Sequence, residues 1–209
     1  MRRCVIFGGA EISDYDHLRT YLKEDDFNIF CDSGLCHMEA MGLRPDLIIG
    51  DFDSHPDPHL DTPTIVLPTA KDDTDTVYAV KEALRRGFDS FLLAGICGRR
   101  MDHTLANLSI LLMLDSLGKE ALAVDDYSEM EILSPGKEGK IKDQWPYFSL
   151  VAFGCESAKV TIQNARYPLD HAVITCEDPY GISNEPLPGQ TALVLVDSGR
   201  LLLVRVREG

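Results

Sequence analysis

Basic residues are scarce in this chain: 20 lysines and arginines stand against 34 aspartates and glutamates among 209 residues, a formal net charge of -14. Nucleic-acid phosphates and anionic membranes would be repelled at long range, which excludes nonspecific binding to either. An anionic small ligand fits such a chain only beside a cation. No apolar run approaches the roughly 20 residues that cross a bilayer, and the apolar segment of MRRCVIFGGAE is too short for a secretory signal, so a cytoplasmic protein is expected. The six cysteines form no CxxC pair and no zinc-like spacing with histidine, and are expected as reduced, buried thiols. A GxxxxGK[ST] loop, internal repeats and low-complexity tracts are all missing, and the first of these absences disfavours a P-loop kinase.

What is present is ordinary globular composition, 44% hydrophobic and 26% charged, enough for one large domain or two small ones. Apolar runs at RCVIFGG, FNIFCDSG, PDLIIGDFDS, TIVLP and SFLLAG read as strands. Between them, SDYDHLRTYLKE has helical spacing with Ser13 or Asp14 as cap, and DDTDTVYAVKEALRRG has it with Asp73 or Thr74 as cap. MDHTLANLSILLMLDSLG is a further strong helix, with Asp102 suited to cap it. Strands apolar throughout and alternating with helices indicate a parallel sheet covered on both faces. From about Ser134-Pro135-Gly136 onward the pattern changes to short runs (YFSLVAFG, AKVTIQNA, HAVITCE, TALVLVDSG, RLLLVRV) separated by Gly, Pro and Asn. The expected fold is therefore α/β, a parallel-sheet domain over residues 1–135 followed by an antiparallel β-sandwich over residues 136–209.

Ligands of a parallel α/β sheet bind at the carboxyl ends of its strands. Four acidic groups fall there: Asp32, Asp51 with Asp53, Asp72 with Asp73 and Asp75, and Asp102. Carboxylates gathered on one rim repel one another unless a hard cation holds them, and oxygen-only ligands suit magnesium with the phosphates of a substrate. Lys71, Arg99 and Arg100 supply positive charge, and the glycines at 95 and 98 permit close approach of backbone to a ligand. Carboxylates, magnesium, arginines and helix N-terminal amides together describe a phosphoryl-transfer site. Singly, Asp14, Asp32 and Asp73 read as turn or cap residues, and His103 and Asn107, one turn apart on a helix, fit packing and function equally.

Three segments in this order and spacing, RPDLIIGDFDS, KDDTDT and GRRMDHTLAN, resemble thiamine pyrophosphokinase, and NARYPL and GISNE resemble the segments that family uses around thiamine. The resemblance covers nearly the whole chain. It implies an ATP- and Mg2+-binding catalytic domain followed by a thiamine-binding sandwich. The implied reaction is transfer of a diphosphate from ATP to the hydroxyethyl oxygen of thiamine, with AMP as the other product. It also implies a homodimer with thiamine sites between subunits. Asp51 and Asp53 match the acidic pair of the metal and nucleotide site, Asp72 and Asp75 the acids of a K-D-x-T-D motif, and Asp102 the acid of an R-x-D-H motif. Metal binding is accordingly expected at Asp51, Asp53, Asp72 and Asp75, and ATP or phosphate contact at Asp32, Ser54, Lys71, Arg100, His103 and Asn107. Tyr167, Ser183 and Asn184 match thiamine-binding positions. Arg99 stands where the family usually has a second glycine, and Asn164 where GxxYPL usually opens with glycine, a place an asparagine can fill in the left-handed conformation. Two other readings stay open on the residues alone: a haloacid-dehalogenase-like phosphohydrolase built on the D-x-D, and a nucleotide or thiamine sensor without turnover.

Overall fold

The computed structural model describes residues 2–52 and 60–207. It divides into two compact units, Met1–Asp126 and Tyr127–Gly209. The division falls ahead of the Ser134-Pro135-Gly136 break. The reason is that the EMEIL segment pairs antiparallel with the last strand of the chain and so belongs with the second unit.

The first unit carries strands β1 (Arg3–Phe7), β2 (Phe27–Cys31), β3 (Leu47–Gly50), β4 (Thr64–Val66), β5 (Ser90–Ala94) and β6 (Glu120–Val124). They lie in the order β4-β3-β2-β1-β5-β6 and every pairing is parallel. Helices α1 (Tyr15–Arg19), α2 (His37–Met41), α3 (Asp75–Arg85) and α4 (Met101–Ser116) connect them, and a 3-10 turn, Asp32–Cys36, precedes α2. The chain steps outward from β1 to β4, then returns through α3 to place β5 on the other side of β1. This reversal is the topological switch point at which such sheets bind ligands. Cys4, Val5, Ile6 and Phe7 are fully buried, as is Leu92 to Ala94, which is the burial expected of a sheet covered on both faces. Phe7 stacks on Phe30 with ring centroids 4.4 Å apart.

Local signals explain two of the four helix starts among the described residues. Asp14 caps α1 by accepting from the His17 N–H at 2.9 Å, and Thr74 caps α3 by accepting from Val77 at 3.3 Å. Asp102 departs from expectation. Arg100 occupies the N-cap of α4 without a side-chain cap bond, and Asp102 lies inside the first turn, paired with Arg100.

The second unit holds β7 (Ser128–Leu133), β8 (Glu138–Lys142), β9 (Tyr147–Ala152), β10 (Ser157–Gln163), β11 (Leu169–Thr175), β12 (Thr191–Ser198) and β13 (Leu201–Val206). They form two antiparallel sheets, β7-β13-β9 and β11-β10-β12-β8. Phe148, Leu150 and Leu203 from one sheet pack with Ile141, Val160, Ile174 and Val194 from the other in a single core, a β-sandwich. Strand β8 escaped the sequence reading because Glu138, Lys140 and Lys142 face outward on an edge strand, where charge blocks further pairing. All six thiols are unbonded, but only Cys4 and Cys31 are buried, while Cys36 and Cys176 are exposed.

Candidate active site

A cleft of about 600 Å³ opens at the carboxyl ends of the parallel strands, lined by residues that follow β1, β2, β3 and β5 and by the starts of α3 and α4. Its shape depends on missing side chains. The turns after β1 and β5 meet backbone to backbone: a Cβ on Gly95 would lie 2.4 Å from the Gly8 carbonyl oxygen, and Gly95 holds φ +62. Gly8 and Ala10 donate their amides to the carbonyls of Ala94 and Gly95, both at 2.8 Å. The Ala10 carbonyl in turn bonds to His37 Nε2 at 2.9 Å, while His37 Nδ1 meets the Tyr15 hydroxyl, also at 2.9 Å. His37 is buried, and desolvation moves its pKa below the ordinary value against the opposing effects of the Ala10 carbonyl and Asp126.

Three carboxylates meet on one wall. Asp32 opens the turn after β2, Asp51 follows β3, and Asp75 opens α3; one oxygen from each lies within 4.8 Å of the other two. Gly50 allows this meeting, since a Cβ there would come within 2.9 Å of Asp32 Cβ. Lys71 enters the cluster, with its Nζ bonded to Asp51 and 3.0 Å from Asp75 Oδ1. Desolvation pulls the Lys71 pKa down, but the bonds to Asp51 and Asp75 outweigh it, so the net shift is upward and Lys71 is a fixed cation. Phe52, immediately after Asp51, takes φ 54, a backbone conformation that costs a bulky residue and tends to persist where function requires it. An all-oxygen set of carboxylates is the donor chemistry of Mg2+, and these three residues fit it.

The other expected residues divide. Asp53 and Ser54 lie outside the described residues. Asp72 is exposed and belongs neither to the cleft lining nor to the carboxylate cluster, where Asp32 stands instead; Asp73 pairs with Lys81 at 2.7 Å. In the order Lys71-Asp72-Asp73-Thr74-Asp75, Thr74 starts the helix, and the turn aims Lys71 and Asp75 one way and Asp73 another. Asp102 is exposed and bonded at 2.9 and 2.6 Å to the Arg100 guanidinium, which holds its carboxyl well below the ordinary range. Arg100 and His103 line the cleft.

Asn107 is buried and donates to the Ile96 carbonyl at 2.8 Å, and Thr104 Oγ accepts from the Gly98 amide at 3.1 Å. The first turns of α4 thus stitch down the β5 turn. The cleft also contains Glu11, paired with Arg99 at 3.0 Å. Glu11 went unread although it too follows a strand, the same signal that picked out Asp51.

In the second unit, Tyr167 and Asn184 come together. The Asn184 side chain accepts from the Tyr167 amide at 3.0 Å and donates to its carbonyl at 2.8 Å, and Asn184 is itself buried. Tyr167 is 56% exposed, with the Arg166 guanidinium 5.6 Å from its ring centroid and Arg166 paired with Glu185 at 2.8 Å. Ser183 is exposed, takes φ 57 and donates its amide to Ser149 Oγ at 3.0 Å; Asn164 also takes φ 57.

The family model of the thiamin pyrophosphokinase catalytic domain matches residues 18–122, and that of the vitamin B1 binding domain matches residues 138–201. Over 212 residues the chain is 26% identical to thiamine pyrophosphokinase of Bacillus subtilis (strain 168), covering 98% of this chain and 99% of that one. The crystal structure of thiamine pyrophosphokinase from Bacillus subtilis superposes with a TM-score of 0.85 at 24% identity over 100% of both chains. That of thiamin pyrophosphokinase from Geobacillus thermodenitrificans gives 0.84 at 25%, over 100% of this chain and 99% of that one. With a carboxylate cleft in the part that matches the catalytic domain and a β-sandwich in the part that matches the vitamin B1 domain, the chain belongs to the thiamin pyrophosphokinase family.

Proposed function

We propose that this protein transfers the β- and γ-phosphoryl groups of ATP as one diphosphate to the hydroxyethyl oxygen of thiamine, releasing AMP. The observation that carries the reading is the cluster of Asp32, Asp51, Asp75 and Lys71 at the strand ends of the part that matches the catalytic domain. Asp32, Asp51 and Asp75 would hold Mg2+ there, and the ion would supply positive charge to neutralise that developing on the transferred phosphates. Asp51 and Asp75 would hold it by both motif and geometry, Asp32 by geometry, and Asp53 by motif alone, while Asp72, matched by motif, lies outside the cluster.

Lys71 and Arg100 contact phosphates, and His103 and Ser54 belong to the same nucleotide half. Asn107 acts there through the β5 turn that it anchors at Ile96. Asp102 acts by orienting the Arg100 guanidinium, to which it is bonded twice. In a loose transition state, positioning and charge outweigh a strong base. Tyr167 offers a ring for stacking, Asn184 holds the Tyr167 backbone, and Ser183, next to Asn184 in the chain, is assigned to thiamine by motif.

Among the described residues no helix is long and apolar enough to cross a membrane, in keeping with a cytoplasmic assignment. Met101 and Leu105 are more than half exposed on α4, one turn apart, apolar surface that a second copy of the chain would cover in a homodimer.

The test is to incubate the purified protein with ATP, MgCl2 and thiamine and resolve the products by chromatography. AMP and thiamine diphosphate formed one for one, and only with the metal, are expected. ADP with thiamine monophosphate would replace the reading by single phosphoryl transfer, and saturable binding without product would replace it by a sensor.

A further inference from the structure

Lys71 sits within the carboxylate cluster. Its Nζ is bonded to Asp51 and lies 3.0 Å from Asp75 Oδ1, two of the three residues whose oxygens converge there. A divalent ion approaches carboxylate oxygens to about 2.0–2.1 Å, whereas an ammonium group stops at hydrogen-bonding distance, about 2.7–2.9 Å. An ammonium held on the same carboxylates as a bound divalent ion would be pressed against it and strongly repelled, so the two cations compete for Asp51 and Asp75.

Lys71 also has somewhere else to go. It lines the cleft together with Arg99 and Arg100, on a flexible four-carbon stem whose point charge suits phosphate as well as carboxylate. Were it removed, the carboxylates of Asp51 and Asp75, gathered with that of Asp32, would lose the ammonium that pairs with both of them. Such a group of like charges draws in the nearest divalent ion or takes up protons.

We propose that Lys71 is an internal counter-cation that competes with the divalent metal for Asp51 and Asp75 and is drawn off by the phosphates of the nucleotide. Metal and nucleotide then bind cooperatively, and the cleft takes up its metal together with its substrate. The inference rests on reading the cleft as a metal and nucleotide site, and it adds a regulatory role for a residue otherwise credited only with phosphate contact. The linkage is reciprocal: whatever factor the nucleotide adds to metal affinity, the metal adds to nucleotide affinity.

The test is Mn2+ binding to the full-length protein, followed by the electron-spin resonance of free Mn2+, with and without α,β-methylene-ATP. Without the analogue, Lys71→Met should bind Mn2+ about tenfold tighter than the wild type, and the factor by which the analogue tightens Mn2+ should shrink correspondingly. Lys71→Arg, which keeps the competing charge, should stay near the wild type. Lys81→Met removes an equal charge from Asp73, outside the cluster, and should change Mn2+ affinity by no more than about twofold.

Unchanged or weaker Mn2+ binding in Lys71→Met overturns the proposal, and so does an equal gain in Lys81→Met, which would mean that net charge alone is felt. Lys71→Gln, with a matching melting temperature, repeats the measurement if Lys71→Met unfolds early. Adding Asp51→Asn separates the two levels of the argument. If it leaves Mn2+ binding intact, the metal lies elsewhere and the metal assignment itself fails. If it weakens Mn2+ binding while Lys71→Met gains nothing, the metal site stands and only the exchange role of Lys71 falls.

Discussion

Each unit places a basic side chain between two carboxylates, and the two arrangements do different things. Lys71 reaches Asp51 and Asp75 at the open rim of a cleft, through one rotatable ammonium. Arg205 lies 8% exposed on β13, with Nη1 on Glu129 at 3.2 Å, Nη2 on Glu131, and Nε donating to the Lys140 carbonyl of β8 at 3.2 Å. Three fixed directions of a planar guanidinium join β7, β13 and β8, and so tie the two sheets of the sandwich together. A point charge on a flexible stem at strand ends can be exchanged for another cation; a forked donor buried between sheets cannot. On the proposed reading, placement and donor geometry separate the Lys71 pair, which exchanges, from the Arg205 pair, which fastens two sheets, even where the charges match.

The sharpest way to break this comparison is Arg205→Leu. It should cost about 3 kcal/mol of stability, read from urea unfolding, because two glutamates lose their partner within a packed region. Thiamine-dependent turnover of the protein that stays folded should be nearly unchanged. A loss of turnover without a loss of stability would put Arg205 among the functional residues.

Next in size, Asp51→Asn should lower kcat on the order of a hundredfold, about 2.7 kcal/mol of transition-state stabilisation, with the melting temperature retained. Near-normal turnover would remove Asp51 from the mechanism. Tyr167→Ala should raise KM for thiamine up to about tenfold with little change in kcat, since stacking is formed equally in ground and transition states. A rise in KM for ATP alone would take the NARYPL segment away from thiamine.

The smallest effect concerns pH. The pKa of His37 is depressed by burial, so its contribution to stability is complete above the ordinary histidine value of about 6.5 and is lost as pH falls through its lower folded value. One proton corresponds to a slope of at most about 1.4 kcal/mol per pH unit in that acid range. Asp126 and the Tyr15 hydroxyl are the other titratable groups acting on this imidazole. Unfolding measured at stepped pH should show a shallower acid slope for His37→Gln than for the wild type. Identical slopes would mean that other groups carry the pH dependence.

Much of the architecture was legible along the chain. RCVIF, FNIFC, LIIG and SFLLA lack polar/apolar alternation, are apolar at nearly every position and are parallel strands, while HAVIT and TALVLV lie in the sandwich. The site was legible in part, because a residue that follows an apolar strand must emerge at the sheet's carboxyl edge, and that rule alone points to Asp32 and Asp51. It could not separate Asp72 from Asp75, three residues apart, since Thr74 starts a helix between them and turns one inward and the other out. Nor could it tell that Asn184 would clip the backbone of Tyr167, because both readings use the same amide.

Hydrophobic periodicity and turn chemistry are local, so the chain's order of residues was enough for its two classes of sheet, the starts of α1 and α3 and the rim on which the acidic residues gather. Proximity is not local. Asp32 and Asp51 follow two adjacent strands and Asp75 opens a helix, and only the parallel order β4-β3-β2-β1-β5, with Gly50 letting adjacent strands close up, brings their oxygens within 4.8 Å. The choice of Lys71 as the cation among them belongs to tertiary structure for the same reason: its pair with Asp51, 20 residues away in the chain, depends on distances of a few ångströms, which residue order does not encode.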